Sequence, residues 1–293
     1  MQSWELFDRH LLRRIRHSLY RIVSWASFMT PYNFDAPDAD AILRSSDGKD
    51  LRVHRIILSL ASPVFQGMFS LPQSTGPSSQ IPIIDIPESS DILQPFLQYL
   101  YPRLPPKVSD VSMWTALYTI ADKYHAGAVM GPLRDMLIPR FLETAPLRVY
   151  ALASHWGFEE EAKIASTRTL TLDIFKDLSQ EDAELMGGSA CRKLYLLHFN
   201  RREGARTLIT NHPPPTSSNS SCKCPPPSYT STVPALCKRV ATRPWLTAEE
   251  LYEEVAGWGY PTQCNSHCRN AFRNMHVYFA SLLKGVSELP QTI

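Results

Sequence analysis

The chain has 293 residues, of which 44% are hydrophobic and 20% are charged. This composition is that of an ordinary globular protein with one or two domains. A formal net charge of +2 gives no reason to expect a nucleic acid as partner. No apolar run reaches the length of about 20 residues that a membrane span needs, so we expect no transmembrane segment.

Residues 1–31 have the pattern of a basic amphipathic arm. Leu11, Ile15, Leu19 and Ile22 recur at helical spacing, and arginines occupy much of the rest. The arginines also interrupt the apolar run that a secretory signal requires, so we expect reduced cysteines and a cytoplasmic or nuclear location. The arm fits a transit peptide, a membrane-surface anchor, a helix for a partner, or an extension that docks loosely.

A β-hairpin is predicted at residues 41–53. Two short apolar stretches, Ala41–Leu43 and Leu51–Val53, flank the pair Asp47 and Gly48. An Asp-Gly pair supplies the positive φ values that a tight hairpin turn requires. We therefore expect two antiparallel strands joined by this turn.

Two short helices and a strand are predicted after the hairpin. The residue before a proline is driven out of the helical conformation, and proline itself favours the first helical position. Ser62 is therefore expected to end one helix and Pro63 to begin the next. The β-branched stretch at residues 81–86 then predicts a short buried strand.

Helices dominate the chain after this strand. Ser89 or Ser90 is expected to cap the first of them, and Ser179 a later one. Two apolar faces occur at helical spacing between these points. The first consists of Trp114, Leu117, Ile120 and Tyr124, and the second of Val129, Leu133, Met136 and Leu137.

A family resemblance is carried by Asp40 and by four stretches. They are VHRIILSLASPVFQGMF at residues 53–69, IPIIDIP at residues 81–87, FLQYLYP at residues 96–102 and ALYTIADKYHAGAVMGPLRDML at residues 116–137. The matching residues are His54, Leu58, Ser62, Pro63, Phe65, Tyr99, Leu100 and Tyr101. In their order and spacing, residues 32–141 resemble a BTB/POZ domain. The resemblance implies an α+β fold, in which a small mixed sheet packs on a helical cluster, followed by a mostly helical C-terminal part.

The resemblance extends beyond this domain. Residues 142–210 resemble the helical extension that often follows BTB domains, and the whole chain resembles the expanded BTB proteins of mushroom-forming fungi. It implies a protein that binds proteins, pairs with itself or another BTB protein, and is not an enzyme. In some relatives the positions of Asp40 and Arg55 form a buried charged pocket at the dimer interface. Alternatively, Asp40 caps the hairpin and Arg55 lies on the surface.

Two further functions stay open at this stage. Many BTB proteins are substrate adaptors that hold a cullin scaffold within a ubiquitin ligase. Cullin-binding relatives carry an apolar residue, any residue and then Glu after the second helix, whereas this chain has Leu71, Pro72 and Gln73. A transcription-associated or membrane-tethered factor that uses residues 1–31 is the other alternative.

The C-terminal third of the chain carries most of the cysteines. Residues 211–234 form a Pro/Ser-rich linker, because repeated prolines favour extended chain and cannot build a core. Residues 235–293 are expected to be helical. Thiolates that could hold a structural zinc ion, or remain unliganded, belong to Cys222, Cys224, Cys237, Cys264 and Cys268.

Catalytic and cofactor-binding patterns are absent from the sequence. It contains none of the common phosphate-binding, dinucleotide-binding, zinc-protease or serine-hydrolase motifs. His54, His125 and His155 are isolated, with no nearby carboxylate placed to assist catalysis. We expect no enzyme activity and, apart from the possible zinc ion, no cofactor.

Overall fold

The computed structural model describes residues 33–71, 81–211, 238–239, 277–278 and 280–293. The chain divides into two compact units after Leu137. Among the described residues, no helix combines the length and the apolar character needed to cross a membrane. The basic arm at residues 1–31 and the five cysteines proposed for zinc lie outside these residues.

A three-stranded sheet organises the first unit. Strand β1 (Ala41–Arg44) pairs antiparallel with β2 (Asp50–Val53). Strand β3 (Ile83–Asp85) pairs parallel with β1, which gives the order β2-β1-β3. Gly48 has a φ of 80° in the turn, a conformation that glycine adopts without steric cost. The predicted hairpin is therefore confirmed.

The prediction that residues 81–86 form a buried strand is wrong for the strand itself. Ile83 is 47% exposed, and Asp85 is exposed as well. Successive side chains of a strand point to opposite faces, so Ile83 and Asp85 share the exposed face, and the half-buried Ile84 lies on the other. Ile86, directly after the strand, is the residue of this stretch that enters the core.

Up to Phe141, the described residues after the hairpin form five helices. They are α1 (Arg55–Ala61), α2 (Pro63–Ser70), α3 (Ser90–Leu100), α4 (Val111–Lys123) and α5 (Gly127–Phe141). Ser62 is extended between α1 and α2, and its hydroxyl accepts a hydrogen bond from the Phe65 amide. Pro63 is the first residue of α2, so the predicted break between the two helices is confirmed.

The cap of α3 comes from the hairpin rather than from α3 itself. Ser89 is the N-cap residue, but its side chain makes no capping bond. Instead the carboxylate of Asp47 accepts bonds from the amide of Ser90, at 2.8 Å, and from its hydroxyl, at 2.6 Å. The tip of the hairpin is thereby fixed to the start of α3.

The core of the first unit lies between the sheet and the helices. Trp114 is fully buried, and its Nε1 donates a hydrogen bond to the Leu133 carbonyl at 2.7 Å. The Phe65 ring stacks on that of Tyr124, with 4.7 Å between centroids. Both predicted apolar faces are confirmed, except that Met136 is only half-buried. Their buried members are Trp114, Leu117, Ile120, Tyr124, Val129, Leu133 and Leu137.

The second unit is helical. Its helices are α6 (Pro146–His155), α7 (Glu159–Thr169), α8 (Ile174–Asp177) and α9 (Gln180–Asn211). Gly187, with a φ of 75°, interrupts α9, and residues 280–287 are also helical. Ser179 caps α9 as predicted, because its hydroxyl accepts a hydrogen bond from the Asp182 amide. The fold class, α+β with a helical C-terminal part, is confirmed.

Candidate interaction surface

Helix α1 is apolar on two sides. Leu58 points inward and is fully buried, whereas Ile56 is 65% exposed and Leu60 is 81% exposed. Ile56 and Leu60 are four residues apart, which places them on one helical face. We call the pair Ile56 and Leu60 the outer face of α1.

Neither residue of the outer face was singled out by the sequence analysis. Apolar residues at positions 56, 57, 58 and 60 occupy more than one face of a seven-residue helix. Such a distribution indicates a helix that can be covered on both sides. It does not show which side its own domain covers, because that depends on how α1 lies against the other elements.

The carboxylate of Asp40 lies at the start of α1. Asp40 is exposed, and its Oδ1 accepts a hydrogen bond from the Arg55 amide at 2.7 Å. Arg55 is the first residue of α1, and the first amides of a helix have no partner within it. Asp40 thus satisfies one such amide and places a negative charge at the positive end of the helix.

The side chain of Arg55 points to the end of α2. Its Nη2 donates a hydrogen bond to the Phe69 carbonyl at 2.7 Å, and its guanidinium carbon lies 5.2 Å from the centroid of the Phe69 ring. A cation is favourable both near a helix C-terminus and against an aromatic ring. Among the described residues, no ion pair joins Arg55 to Asp40, so within one chain their link runs through the Arg55 backbone.

His54 and Tyr101 contact each other beside this site. The Tyr101 hydroxyl lies 2.9 Å from the His54 backbone nitrogen and 3.1 Å from its Nδ1. The Tyr101 ring also meets the Phe34 ring edge-on, with centroids 5.3 Å apart. His54 Nε2 is 3.5 Å from Asp38 Oδ1. These contacts join the start of α1 to the residue that follows α3.

The other residues that carried the family resemblance serve the fold. Leu58, Phe65 and Leu100 are buried in the core. The Ser62 hydroxyl donates a hydrogen bond to the Tyr124 carbonyl, and Tyr99 is half-buried. Each of these positions builds or joins helices, and none of them places a reactive group in an open site.

Side chains that could bind a metal ion or act in catalysis are not clustered in the part of the chain that the structure describes. In that part, no group of three or more His, Cys, Asp or Glu side chains is arranged to hold a metal ion. Cys191 is a half-buried free thiol. His155 Nδ1 lies 3.2 Å from the Leu185 carbonyl, a contact that orients the ring without a catalytic partner.

Comparison with known families supports the sequence analysis. Residues 35–139 match the family model of the BTB/POZ domain, which confirms the predicted resemblance to this domain. No curated protein matches the chain, so its closer resemblance to the expanded fungal proteins stays a prediction. The matched range includes Asp40, Arg55, α1 and Tyr101, and therefore the outer face of α1 and the two charges at its start.

Proposed function

We propose that the BTB/POZ domain at residues 35–139 pairs this chain with a second copy of itself through the outer face of α1. BTB/POZ domains are generally protein–protein interaction modules. The exposure of Ile56 and Leu60 on one face of α1 carries the proposal. Water is removed from both side chains when an apolar partner covers them, which is favourable by about 25 cal/mol per Å² of apolar surface.

A two-fold pair suits this surface because the same patch then serves both copies. Asp40 and Arg55 lie at the start of α1, with opposite charges. In a two-fold arrangement Arg55 of one copy can approach Asp40 of the other, which would give the charged pocket that the resemblance implies. Each guanidinium would then keep its cover from Phe69 on one side and gain a carboxylate on the other.

The outer face of α1 covers only part of such an interface. A seven-residue helix is about 10 Å long, whereas each partner in a stable complex buries about 800 Å². Residues beside α1 must therefore contribute to the contact. The segment at residues 33–40 is a candidate for this contribution, since Asp40 at its end binds the first amide of α1.

The test is the molar mass of the full chain by light scattering at micromolar concentration. We expect a mass of twice 33.2 kDa for the natural sequence and of one chain for the double variant Ile56→Asp, Leu60→Asp. Leu104→Asp is the matched control, because Leu104 is also exposed but lies in the loop after α3. A monomeric natural chain, or a double variant that stays dimeric, would contradict the proposal.

A cullin adaptor is the second candidate, and Leu71 is the residue that favours it. Leu71 is exposed directly after α2, where cullin-binding relatives carry an apolar residue. Gln73 stands where those relatives have Glu, so a charge-assisted contact is missing. We expect weak capture by a cullin N-terminal domain and stronger capture of Gln73→Glu. If neither protein is captured above background, this candidate fails.

A further inference from the structure

The segment at residues 280–293 packs on the helical second unit through matched leucines and glycines. A Cβ at Gly204 of α9 would lie 2.5 Å from Leu289 Cδ2, so the Leu289 side chain occupies the space that Gly204 leaves. In the reverse direction, a Cβ at Gly285 would lie 3.2 Å from Leu208 Cδ1. Each leucine therefore fills a gap beside a glycine of the opposite segment.

A buried arginine binds the backbone of the same segment. Arg201, one turn before Gly204 on α9, is buried. Its Nη1 donates hydrogen bonds to the Leu289 and Pro290 carbonyls, both at 3.1 Å. A guanidinium that donates to main-chain carbonyls fixes the path of the segment, and buried polar groups are stable only when they are bonded in this way.

Helix α7 holds the end of the segment. The Ile293 amide donates a hydrogen bond to the Ser166 hydroxyl at 3.3 Å, and the Thr292 hydroxyl donates to the Lys163 carbonyl at 3.2 Å. Leu282 and Val286, in the helical part of the segment at residues 280–287, are buried. The segment is therefore bound over most of its length, by side-chain packing first and by main-chain hydrogen bonds after it.

We infer that α7 and α9 form a peptide-docking groove and that its ligand is the chain's own segment at residues 280–293. The groove provides a leucine slot at Gly204, two main-chain hydrogen bonds from Arg201 and a further contact at Ser166. It suits an apolar peptide that is helical up to residue 287 and leaves the helix before Leu289 and Pro290. This inference is independent of self-association through α1.

The sequence between α9 and the segment makes separation feasible. Residues 212–279 connect them, and the Pro/Ser-rich stretch within this connection lacks the apolar residues that a packed core needs. The segment is thus bound to the groove by the contacts described above and tethered to it by a long connection.

The experiment cleaves the connection in the full chain. A site for a sequence-specific protease, flanked by glycine and serine, is inserted after residue 225, and the cleaved protein is analysed by size-exclusion chromatography. We expect the C-terminal fragment to elute with the rest of the chain. Its affinity is then measured by displacement with a fluorescent peptide of residues 277–293.

The decisive variant is Gly204→Leu, which fills the leucine slot while adding a good helix former to α9. We expect it to weaken retention of the fragment by about tenfold or more. Gly188→Leu is the matched control, since a side chain at this position of α9 meets open space, and it should retain the fragment. The exchanged pair Gly204→Leu, Leu289→Gly should recover part of the affinity.

Leu289→Asp tests the same contact without a change in α9, and circular dichroism reports whether each variant keeps its helices. Loss of retention in Leu289→Asp with unchanged helix content supports the groove. Release of the fragment from the natural sequence would overturn the inference. So would variants Gly204→Leu and Leu289→Asp that retain the fragment as strongly as the natural sequence does.

Discussion

The hydroxyl of Tyr101 forms two contacts with His54, one to its backbone nitrogen at 2.9 Å and one to its Nδ1 at 3.1 Å. The hydroxyl accepts the hydrogen bond from the backbone amide, and the same oxygen is within hydrogen-bond distance of the ring nitrogen. Since Tyr101 follows α3 and His54 precedes α1, one buried side chain joins two helices that are distant in sequence.

Replacement of Tyr101 by Phe should destabilise the first unit by about 1–2 kcal/mol, because the His54 amide then loses its partner in a part-buried position. The free energy of unfolding, measured with urea, checks this value. Tyr195→Phe is the control, since the Tyr195 ring contacts Phe175 and this contact survives the substitution. Equal stability of Tyr101→Phe and the natural chain would show that the hydroxyl contributes nothing to the junction.

Asp47 should stabilise the junction between the hairpin and α3. Hydrogen bonds from the Ser90 and Ser45 side chains hold the pKa of Asp47 well below its ordinary value. The stabilisation is therefore complete above the ordinary carboxyl pKa and is lost as the pH falls through the lowered one. We expect Asp47→Ala to lower the thermal midpoint at neutral pH by a few degrees, and the gap to the natural chain to narrow in acid.

Asp135→Ala is the control for this prediction, because Asp135 is an exposed carboxylate on α5. It should leave the midpoint unchanged at both pH values. If Asp47→Ala and Asp135→Ala behave alike, the bonds to Ser90 have no role in stability.

Local features of the fold were predictable from the sequence. The turn at Gly48 and the break between α1 and α2 depend on residues that are adjacent in the chain. Turn glycines and prolines restrict the backbone whatever surrounds them. The same is true of Ser179, whose hydroxyl binds an amide three residues ahead.

Features that depend on distant contacts were not predictable. Ser89 and Ser90 were both plausible caps for α3, and the choice of Asp47 instead requires the hairpin tip to reach α3. The exposure of Ile56 and Leu60 likewise depends on which side of α1 the core covers. Hydrophobic pattern alone cannot separate these cases when a short helix is apolar on both sides.

Substitutions at Asp40 separate its binding of the Arg55 amide from its proposed contact with Arg55 of a second copy. Asp40→Asn keeps an oxygen that can accept the Arg55 amide, whereas Asp40→Ala removes it. We therefore expect Asp40→Ala to lower the thermal midpoint and Asp40→Asn to preserve it. If Asp40 also faces Arg55 of a second copy, Asp40→Asn should raise the dimer dissociation constant, measured by sedimentation. An unchanged constant for Asp40→Asn would limit Asp40 to the capping of α1.

His198 should make the second unit sensitive to mild acid. Burial and the positive charge of Arg202 lower the pKa of His198 to about 4. Its Nε2 lies 3.2 Å from the Thr169 hydroxyl, which donates its own proton to the Ser166 carbonyl. The hydroxyl is therefore an acceptor for His198, and the ring is neutral with its proton on Nε2.

The sign of the pH effect follows from the two protonation states. Below the ordinary histidine pKa of 6.5 the unfolded chain binds a proton that the folded unit refuses until about pH 4, so stability is lost as the pH falls between these values. Between about pH 7.5 and pH 5 the loss should be about 2 kcal/mol. His198→Gln keeps an N–H donor for Thr169 but cannot titrate, so urea unfolding of this variant should lack that loss. The same pH dependence in both proteins would show that His198 already carries its proton in the folded unit.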